Sequence, residues 1–494
     1  MKRVLKIHTE DKVAVALEDL FVGDRVQVED DIIEVKEPIK KGHKIALIDF
    51  EVGVNVIKYG ESIGITTKAI KQGEWIHTHN MTTGLGDLLT YTYEPNIPDE
   101  KKLPKKTFKG FLRPDGRVGI RNEIWIIPTV GCVNSVAKKL EEEMHGLRSE
   151  GVDGVYAYTH PYGCSQLGED HENTRKILVA LAKHPNAAGV LVLGLGCENN
   201  TIQGFKELLG EYDTEHIKFL ETQKVEDEIE EAKKYIEELM NYAKGFKREE
   251  VDMSKLVVGL KCGGSDGYSG ITANPMVGRF TEEVVAYGGS AILTEVPEMF
   301  GAETLLMERC ETRKEFEETV ELINRFKTYF KASGMPIYEN PSPGNKEGGI
   351  TTLEDKSLGC IQKGGRVVIK GVIGYGETLT TPGLNLLYGP GNDLVSTTAL
   401  TAAGAQIILF TTGRGTPFGA PVPTVKIATN TELYKKKSKW MDFNAGEIAA
   451  GRSIDEVASD FMTYIESVIS GEKLTCTEMN NYREIAIFKN GITL

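Results

Sequence analysis

The sequence predicts an α/β protein: a small all-β domain at the N-terminus, then two α/β domains with mainly parallel, Rossmann-like sheets. Three observations predict it. Short apolar segments punctuated by glycine fill residues 1–91. A proline- and charge-rich seam, TYEPNIPDEKKLPKK, occupies residues 92–106. Beyond it, apolar runs alternate with helix-like periods to the end of the chain, the pattern of strands joined by crossover helices.

In the first domain, Val13–Leu17, Arg25–Val28, Ile32–Val35, Ile45–Ile48 and Val54–Tyr59 are apolar or alternating, and Gly23, Gly42, Gly53, Gly60 and Gly73 separate them. Segments this short and closely spaced suit strands joined by tight turns. Residues 92–106 read as a linker. In the second domain, 107–247, strands are expected at Ile124–Val130, Gly154–Thr159, Gly189–Leu195 and Ile217–Leu220. Helices are expected at about 133–145, 171–183, 199–210 and 225–243. In the last, Val225, Ile229, Ala232, Ile236, Leu239 and Ala243 recur three or four residues apart, which lines one helix face. The charged stretch Gly245–Ser254 reads as a second boundary, leading into a C-terminal domain over 248–494. There, strands are expected at Leu256–Leu260, Ala291–Val296, Arg366–Ile373 and Gln406–Thr411, with one long helix over about 303–332. Residues 336–364, rich in Pro, Gly, Asn and Ser, read as a long loop, and loops of that length in compact domains are commonly functional.

Composition excludes several classes. Lys and Arg number 58 against 72 Asp and Glu, a net charge of −14, so the chain lacks the basic excess that binds nucleic acid. No apolar run approaches the roughly 20 residues of a membrane span, and the start, MKRVLKIHTEDK, is not a secretory signal. Seven cysteines, an odd number in a long chain, point to reduced thiols in a cytoplasm. There is no G-x-x-x-x-G-K-[ST], no G-x-G-x-x-G after the first α/β strand, no H-E-x-x-H and no C-x-x-C. These absences weigh against kinase, dehydrogenase, zincin and zinc-ribbon readings.

In open parallel sheets, ligands bind beyond the carboxyl ends of the strands. Four expected strands are followed by Gly131-Cys132, His160-Pro-Tyr-Gly-Cys164, Gly196-Cys197-Glu198 and Cys262-Gly-Gly-Ser-Asp266. Any one of these cysteines alone would read as an ordinary buried residue. The repeated placement instead suggests an iron or zinc site from Cys132, Cys164, Cys197 and Cys262, with Glu198 and His160 nearby. Cys310, Cys360 and Cys476 follow no such pattern and read as structural. In His77-Thr-His79-Asn80, two histidines at i and i+2 would share one face of a strand and could hold a metal or substrate; the alternative is a pair of exposed turn histidines. Asn345 and Lys346 in a Gly- and Pro-rich run, Lys356 after it, and Arg414 directly after an expected strand suit a carboxylate or phosphate, although a lone Lys or Arg is more often a solvated surface charge.

Longer strings carry a resemblance: Gly42-His-Lys44, Asn55-Val-Ile-Lys-Tyr-Gly60, Arg121-Asn-Glu123, Thr129-Val-Gly-Cys132, Tyr162-Gly-Cys-Ser-Gln-Leu-Gly168, Gly194-Leu-Gly-Cys-Glu-Asn199, Cys262-Gly-Gly-Ser-Asp266, Thr272-Ala-Asn-Pro275, Thr294-Glu-Val-Pro-Glu-Met-Phe-Gly-Ala302, Asn340-Pro-Ser-Pro-Gly-Asn-Lys346, Thr411-Thr-Gly-Arg-Gly-Thr416 and the ending Arg483-Glu-Ile-Ala-Ile-Phe488. End to end, the chain resembles the altronate/galactarate dehydratase family. The resemblance implies an N-terminal domain of the SAF type and dehydration of D-altronate to 2-dehydro-3-deoxy-D-gluconate in hexuronate catabolism. It also implies dependence on ferrous iron, replaceable by manganese. The His77-Thr-His79-Asn80 string leans toward the altronate branch.

Dehydrating a 2,3-dihydroxy acid removes a weakly acidic proton at C2, so a cation must stabilise the enediolate while an acid protonates the departing 3-hydroxyl. The expected acid–base and catalytic groups are His77, His79, Lys356 and, more weakly, Glu295. Asn80, Asp266, Asn345, Lys346 and Arg414 are expected to bind the sugar acid. The metal is expected on Cys132, Cys164, Cys197, Cys262 and Glu198, either as a mononuclear ferrous site using some of them with the histidines, or as an iron–sulfur cluster. Expected partners are a small sugar acid and further copies of the chain, with no nucleic acid and no membrane. Competing readings are a dehydratase for another aldarate such as galactarate, a sulfo-lyase acting on sulfolactate, and a non-catalytic sugar-acid binding protein.

Overall fold

The computed structural model describes residues 3–86, 90–144 and 151–493. In the N-terminal part, Val4–Leu5, Val13–Ala16, Lys44–Ala46 and Trp75–Ile76 form an antiparallel sheet in that order. Asn55–Lys58, Glu61–Thr66 and Met81–Thr82 form a second antiparallel sheet, and Arg25–Val28 pairs with Asp31–Glu34 as a hairpin. Along the hairpin, Val26, Val28 and Ile33 turn inward onto Val35, Ile39 and Ile45 while their neighbours face water, as the two-residue period of a half-buried strand requires.

The middle part is a four-stranded parallel sheet in the order Gly154–Ala157, Glu123–Pro128, Ala187–Gly194, Ile217–Glu221. Alternate residues of its central strands serve different faces. Ile124, Ile126, Leu191 and Leu193 pack under the helices Asn134–Met144 and Glu228–Ala243. Trp125, Ile127, Val190 and Val192 join the core shared with the last part and the helix Gly168–Ala182. Burial on both faces explains why these strands read as continuous apolar runs.

The last part is a seven-stranded, wholly parallel sheet: Ile369–Ile373, Leu384–Leu387, Ser290–Leu293, Val257–Cys262, Ile407–Thr412, Thr424–Ala428, Phe443–Asn444. Three elements differ from expectation. The helix expected over 303–332 is two, Glu303–Met307 and Arg313–Ala332. The second starts at Thr312, whose side chain and that of Glu315 close a capping box, and Cys310 between them bridges to Ile369. The loop expected over 336–364 contains helices Pro343–Glu347 and Leu353–Cys360, capped by Ser342 and Thr352. All eight residues of the second are buried, including Glu354, Asp355 and Lys356. Their polarity mimics a loop because tertiary ion pairs replace water.

The stretch Gly245–Ser254 also carries a strand, Arg248–Asp252, which pairs antiparallel with Thr107–Leu112 beside Val118–Gly119. It fastens the exit of the middle part to its entrance. The chain returns there once more near its end, where Arg483 forms a two-pronged pair with the buried carboxylate of Glu123 at 2.9 and 3.1 Å. Among the described residues, no helix is long and apolar enough to cross a membrane.

Candidate functional site

The carboxyl ends of the seven-stranded sheet meet the N-terminal part along residues 342–360. Backbones approach closely there: a Cβ on Gly349, at φ +101°, would lie 2.2 Å from the carbonyl oxygen of Gly42. Behind this contact, Asp355 accepts from Lys44 Nζ at 2.8 Å, Lys58 Nζ at 2.9 Å and the Thr351 amide at 3.1 Å. Burial alone would raise its carboxyl, but the two ammonium groups hold it well below the usual range. Burial pushes Lys44 down to about 8, with Lys58 adding to the shift and Asp355 opposing it. His77 presents Nδ1 to Thr351 Oγ1 at 3.1 Å, and burial together with Lys44 pushes it down to about 3, so its imidazole is neutral.

Lys356 is held by Glu298 Oε1 at 2.8 Å, Asn340 Oδ1 at 3.0 Å and Asn345 Oδ1 at 3.3 Å. The far oxygen of Glu298 lies 3.1 Å from Cys262 Sγ and 3.2 Å from Cys360 Sγ, and the two sulfurs are 3.3 Å apart. Lys58, Ser265, Asp266, Asn274, Asp355, Lys356 and Cys360 line a small inner cavity of about 10 Å³. The Ser265 hydroxyl, buried there, has no hydrogen-bond partner. Asp266 also borders an open cleft of about 340 Å³, lined by Lys41, Tyr268, Arg414, Asn430, Lys436 and Lys437 among others. That cleft can take a small anion, with Asp266 standing between it and the inner cavity. Burial raises the Asp266 carboxyl, against hydrogen bonds from Thr429, Ser269, the Tyr268 amide and Asn430.

A second constellation crowns the four-stranded sheet. Cys132, Cys164 and Cys197 follow three adjacent strands, and two are exposed and one half-buried. Their loops are tied together: the Gly131 amide donates to Tyr162 O at 2.8 Å, the Asn200 amide to Gly163 O at 2.9 Å and the Ser165 amide to Asn199 Oδ1 at 2.8 Å. Gly163, at φ +99°, lets its loop lie against Thr129, whose carbonyl a Cβ would meet at 2.1 Å. Asn134 Oδ1 and Gln166 Nε2 are buried beside these loops without partners.

Several expected roles change. Cys262 does not join the other three cysteines; it is buried at the end of its own sheet against Cys360 and Glu298, the one close group of three His, Cys, Asp or Glu donors among the described residues. Glu198 turns its carboxylate to its own loop: it accepts from Thr129 Oγ1 at 2.7 Å and from the Leu195 and Gly196 amides at 3.1 and 2.6 Å, which shapes the Cys197 loop. His160 has both ring nitrogens engaged, with Pro128 O and the Tyr162 amide. His77 and His79 do not share a strand face, because the strand stops at Ile76 and a turn follows. His77 is buried and stacked on Trp75, while His79 is exposed against the same indole. Asn80 closes that turn, accepting from the His77 amide and donating to Trp75 O, so its amide is occupied. Glu295 is locked to Lys261 and the Cys262 amide inside the protein.

Asn345, which donates to Ser265 O and accepts from Lys356, positions that lysine. Lys346 is half-buried on the short helix beside it. Arg414 pairs with Glu347 at 2.9 Å on the rim of the open cleft. Lys44, Lys58, Asp355, Glu298 and Cys360 are the functional candidates that residue patterns missed. The available signal was two lysines, in Gly42-His-Lys44 and Asn55-Val-Ile-Lys58, inside strands too apolar to expose them.

Comparison with known proteins gives matches along the whole chain. Residues 2–84 match the altronate/galactarate dehydratase SAF domain, 110–244 the second domain of D-galactarate dehydratase/altronate hydrolase, and 253–493 the D-galactarate/altronate dehydratase C-terminal domain. The chain is 53% identical to an altronate dehydratase of Bacillus subtilis (strain 168), with all of both chains covered. It is 51% identical to an altronate dehydratase of Escherichia coli (strain K12), over 99% of each chain. Galactarate dehydratase (L-threo-forming) of Escherichia coli (strain K12) is 34% identical, over 98% of this chain and 96% of its own.

Proposed function

Because this chain belongs to the D-galactarate/altronate dehydratase family, we infer that it is a hydro-lyase converting D-altronate to 2-dehydro-3-deoxy-D-gluconate and water. One observation carries the choice of substrate: identity to two altronate dehydratases is 53% and 51% across the chain, against 34% to a galactarate dehydratase.

In this reading the sugar acid enters through the open cleft, where Arg414 and Lys41 offset its charge. Lys356 and Lys58, facing the same inner cavity, bind the carboxylate and the negative charge that develops on it. The small cavity holds about one water, so admitting a six-carbon acid would require the N-terminal part to move outward. Asp266 accepts from sugar hydroxyls. His77, neutral and held by Thr351 through Nδ1, takes or gives a proton at Nε2. Asn345 and Glu298 hold Lys356 in place rather than touching substrate.

The implied iron would be held by Cys132, Cys164 and Cys197, three soft donors on cross-tied, accessible loops with unpartnered polar atoms beside them; their sulfurs do not all lie within 4.8 Å of one another, so the loops would draw together around a single ion. Iron bound there would supply Lewis-acid character to oxygens that reach these loops. The seven unpaired cysteines agree with a cytoplasmic location.

The test is an anaerobic assay with ferrous iron, offering D-altronate and galactarate side by side and following 2-keto acid formation. The reading requires D-altronate to have the higher kcat/KM. Preference for galactarate, or ligand-induced stabilisation with no product from either acid, overturns it.

A further inference from the structure

We propose that Cys262, Cys360 and Glu298 form a buried site for a thiophilic divalent cation of the zinc class, distinct from the Cys132, Cys164 and Cys197 loops. The three donors come from three elements: the end of strand Val257–Cys262, the turn Val296–Glu298 and the helix Leu353–Cys360. Their ligand atoms lie within 4.8 Å of one another and all three residues are buried. A tetrahedral zinc with sulfur at about 2.3 Å and oxygen at about 2.0 Å sets S–S and S–O separations of roughly 3.7 and 3.5 Å. The observed separations are 3.3 Å for S–S and 3.1 and 3.2 Å for S–O, so an ion needs an expansion of only a few tenths of an ångström.

The surrounding charge is compatible with an ion. Lys356 pairs with Glu298, Lys261 with Glu295 and Asp393, and Lys363 faces Glu295 at 3.7 Å. Three ammonium groups thus meet three carboxylates, so one divalent cation replacing the two thiol protons would leave the site neutral. A fourth ligand also has a place. The cavity of about 10 Å³ beside Cys360 has room for about one water, and the unpartnered Ser265 hydroxyl lines it. An ion here would fasten the helix that carries Asp355 and Lys356 to the strand end at Cys262 and the turn at Glu298.

Cobalt(II) is the probe, titrated anaerobically into the full chain carrying Cys132→Ser, Cys164→Ser and Cys197→Ser. One cobalt per chain is expected, with a thiolate-to-cobalt charge-transfer band in the near ultraviolet. Adding Cys262→Ser or Cys360→Ser should abolish the band, while adding Cys310→Ser should leave it. No cobalt uptake, or a band that survives both substitutions, overturns the proposal. If the triple variant fails to fold, zinc is counted by mass spectrometry in chelator-stripped, zinc-reloaded wild type and Cys360→Ser. A drop of one zinc per chain supports the site, and equal content refutes it. Because no turnover is read, the outcome is separable from the altronate assignment.

Discussion

Asp355→Asn should loosen the N-terminal part from the body of the protein. Among the described residues, Asp355 is the only carboxylate bonded to Lys44 and Lys58, and the three side chains are 1%, 0% and 3% exposed. Asparagine keeps one acceptor but turns an amide donor toward an ammonium and leaves two buried cations without a counter-charge. Removing one partner of a buried ion pair costs about 3–5 kcal/mol. At about 1.4 kcal/mol per factor of ten, the equilibrium for opening this contact should shift by roughly two to three and a half orders of magnitude. Hydrogen exchange reads this directly, at the amides of Lys44–Ala46, Asn55–Lys58 and Thr351. Protection there should fall by that amount, with the four-stranded sheet unchanged. Protection within tenfold of wild type would refute the claim that buried charge holds the contact. The triple change Lys44→Met, Lys58→Met, Asp355→Leu should restore protection, because an apolar replacement leaves no charge stranded, but not turnover.

The remaining predictions concern pH and single residues. Burial depresses Lys44, so its ammonium is present below about 8 and lost above; kcat/KM should fall as pH rises through that value, and Lys44→Arg should move this limb upward. Asp355 is also depressed, so its contribution is present above its unfolded value and is lost only as pH falls through its far lower folded one; exchange protection at the contact should survive acidification through about pH 4. His77→Ala should lower kcat by about 10²–10⁴ with unchanged exchange elsewhere, whereas His79→Ala should change it by much less; equal effects would remove the distinction drawn from their burial. Cys164→Ser should lower both iron content and turnover, while Cys310→Ser should leave iron content unchanged; metal analysis of anaerobically purified protein decides.

The sheets were legible in the sequence because strands buried on both faces read as apolar runs, as at Ile124–Val130 and Gly189–Leu195. The cysteines at the ends of three adjacent strands were legible for the same reason, since strand ends in a parallel sheet all point one way. What stayed hidden was polarity turned inward. Glu354, Asp355 and Lys356 looked like loop residues until partners from distant segments accounted for their burial. Cys262 was grouped with the wrong cysteines because the pattern that marked it, a cysteine after a strand, does not say which sheet the strand enters. Glu198 resembled a ligand, but its carboxylate is consumed by its own loop, a competition between local hydrogen bonds and metal that spacing cannot reveal.

The pairing of Arg483 with Glu123 has a consequence for synthesis. Glu123 opens the central strand of the middle sheet, where its carboxylate is buried and its main counter-charge comes from Arg483. A ribosome will have translated 360 further residues before that arginine exists. Until then the middle sheet carries an uncompensated acid in its interior, or keeps that end of the strand open to water. The nascent chain therefore reaches its final packing only when its last segment returns, which makes the segment around Arg483 a closing fastener during folding. Truncations or fusions that hinder its return should reduce the yield of folded protein long before they touch any residue of the candidate site.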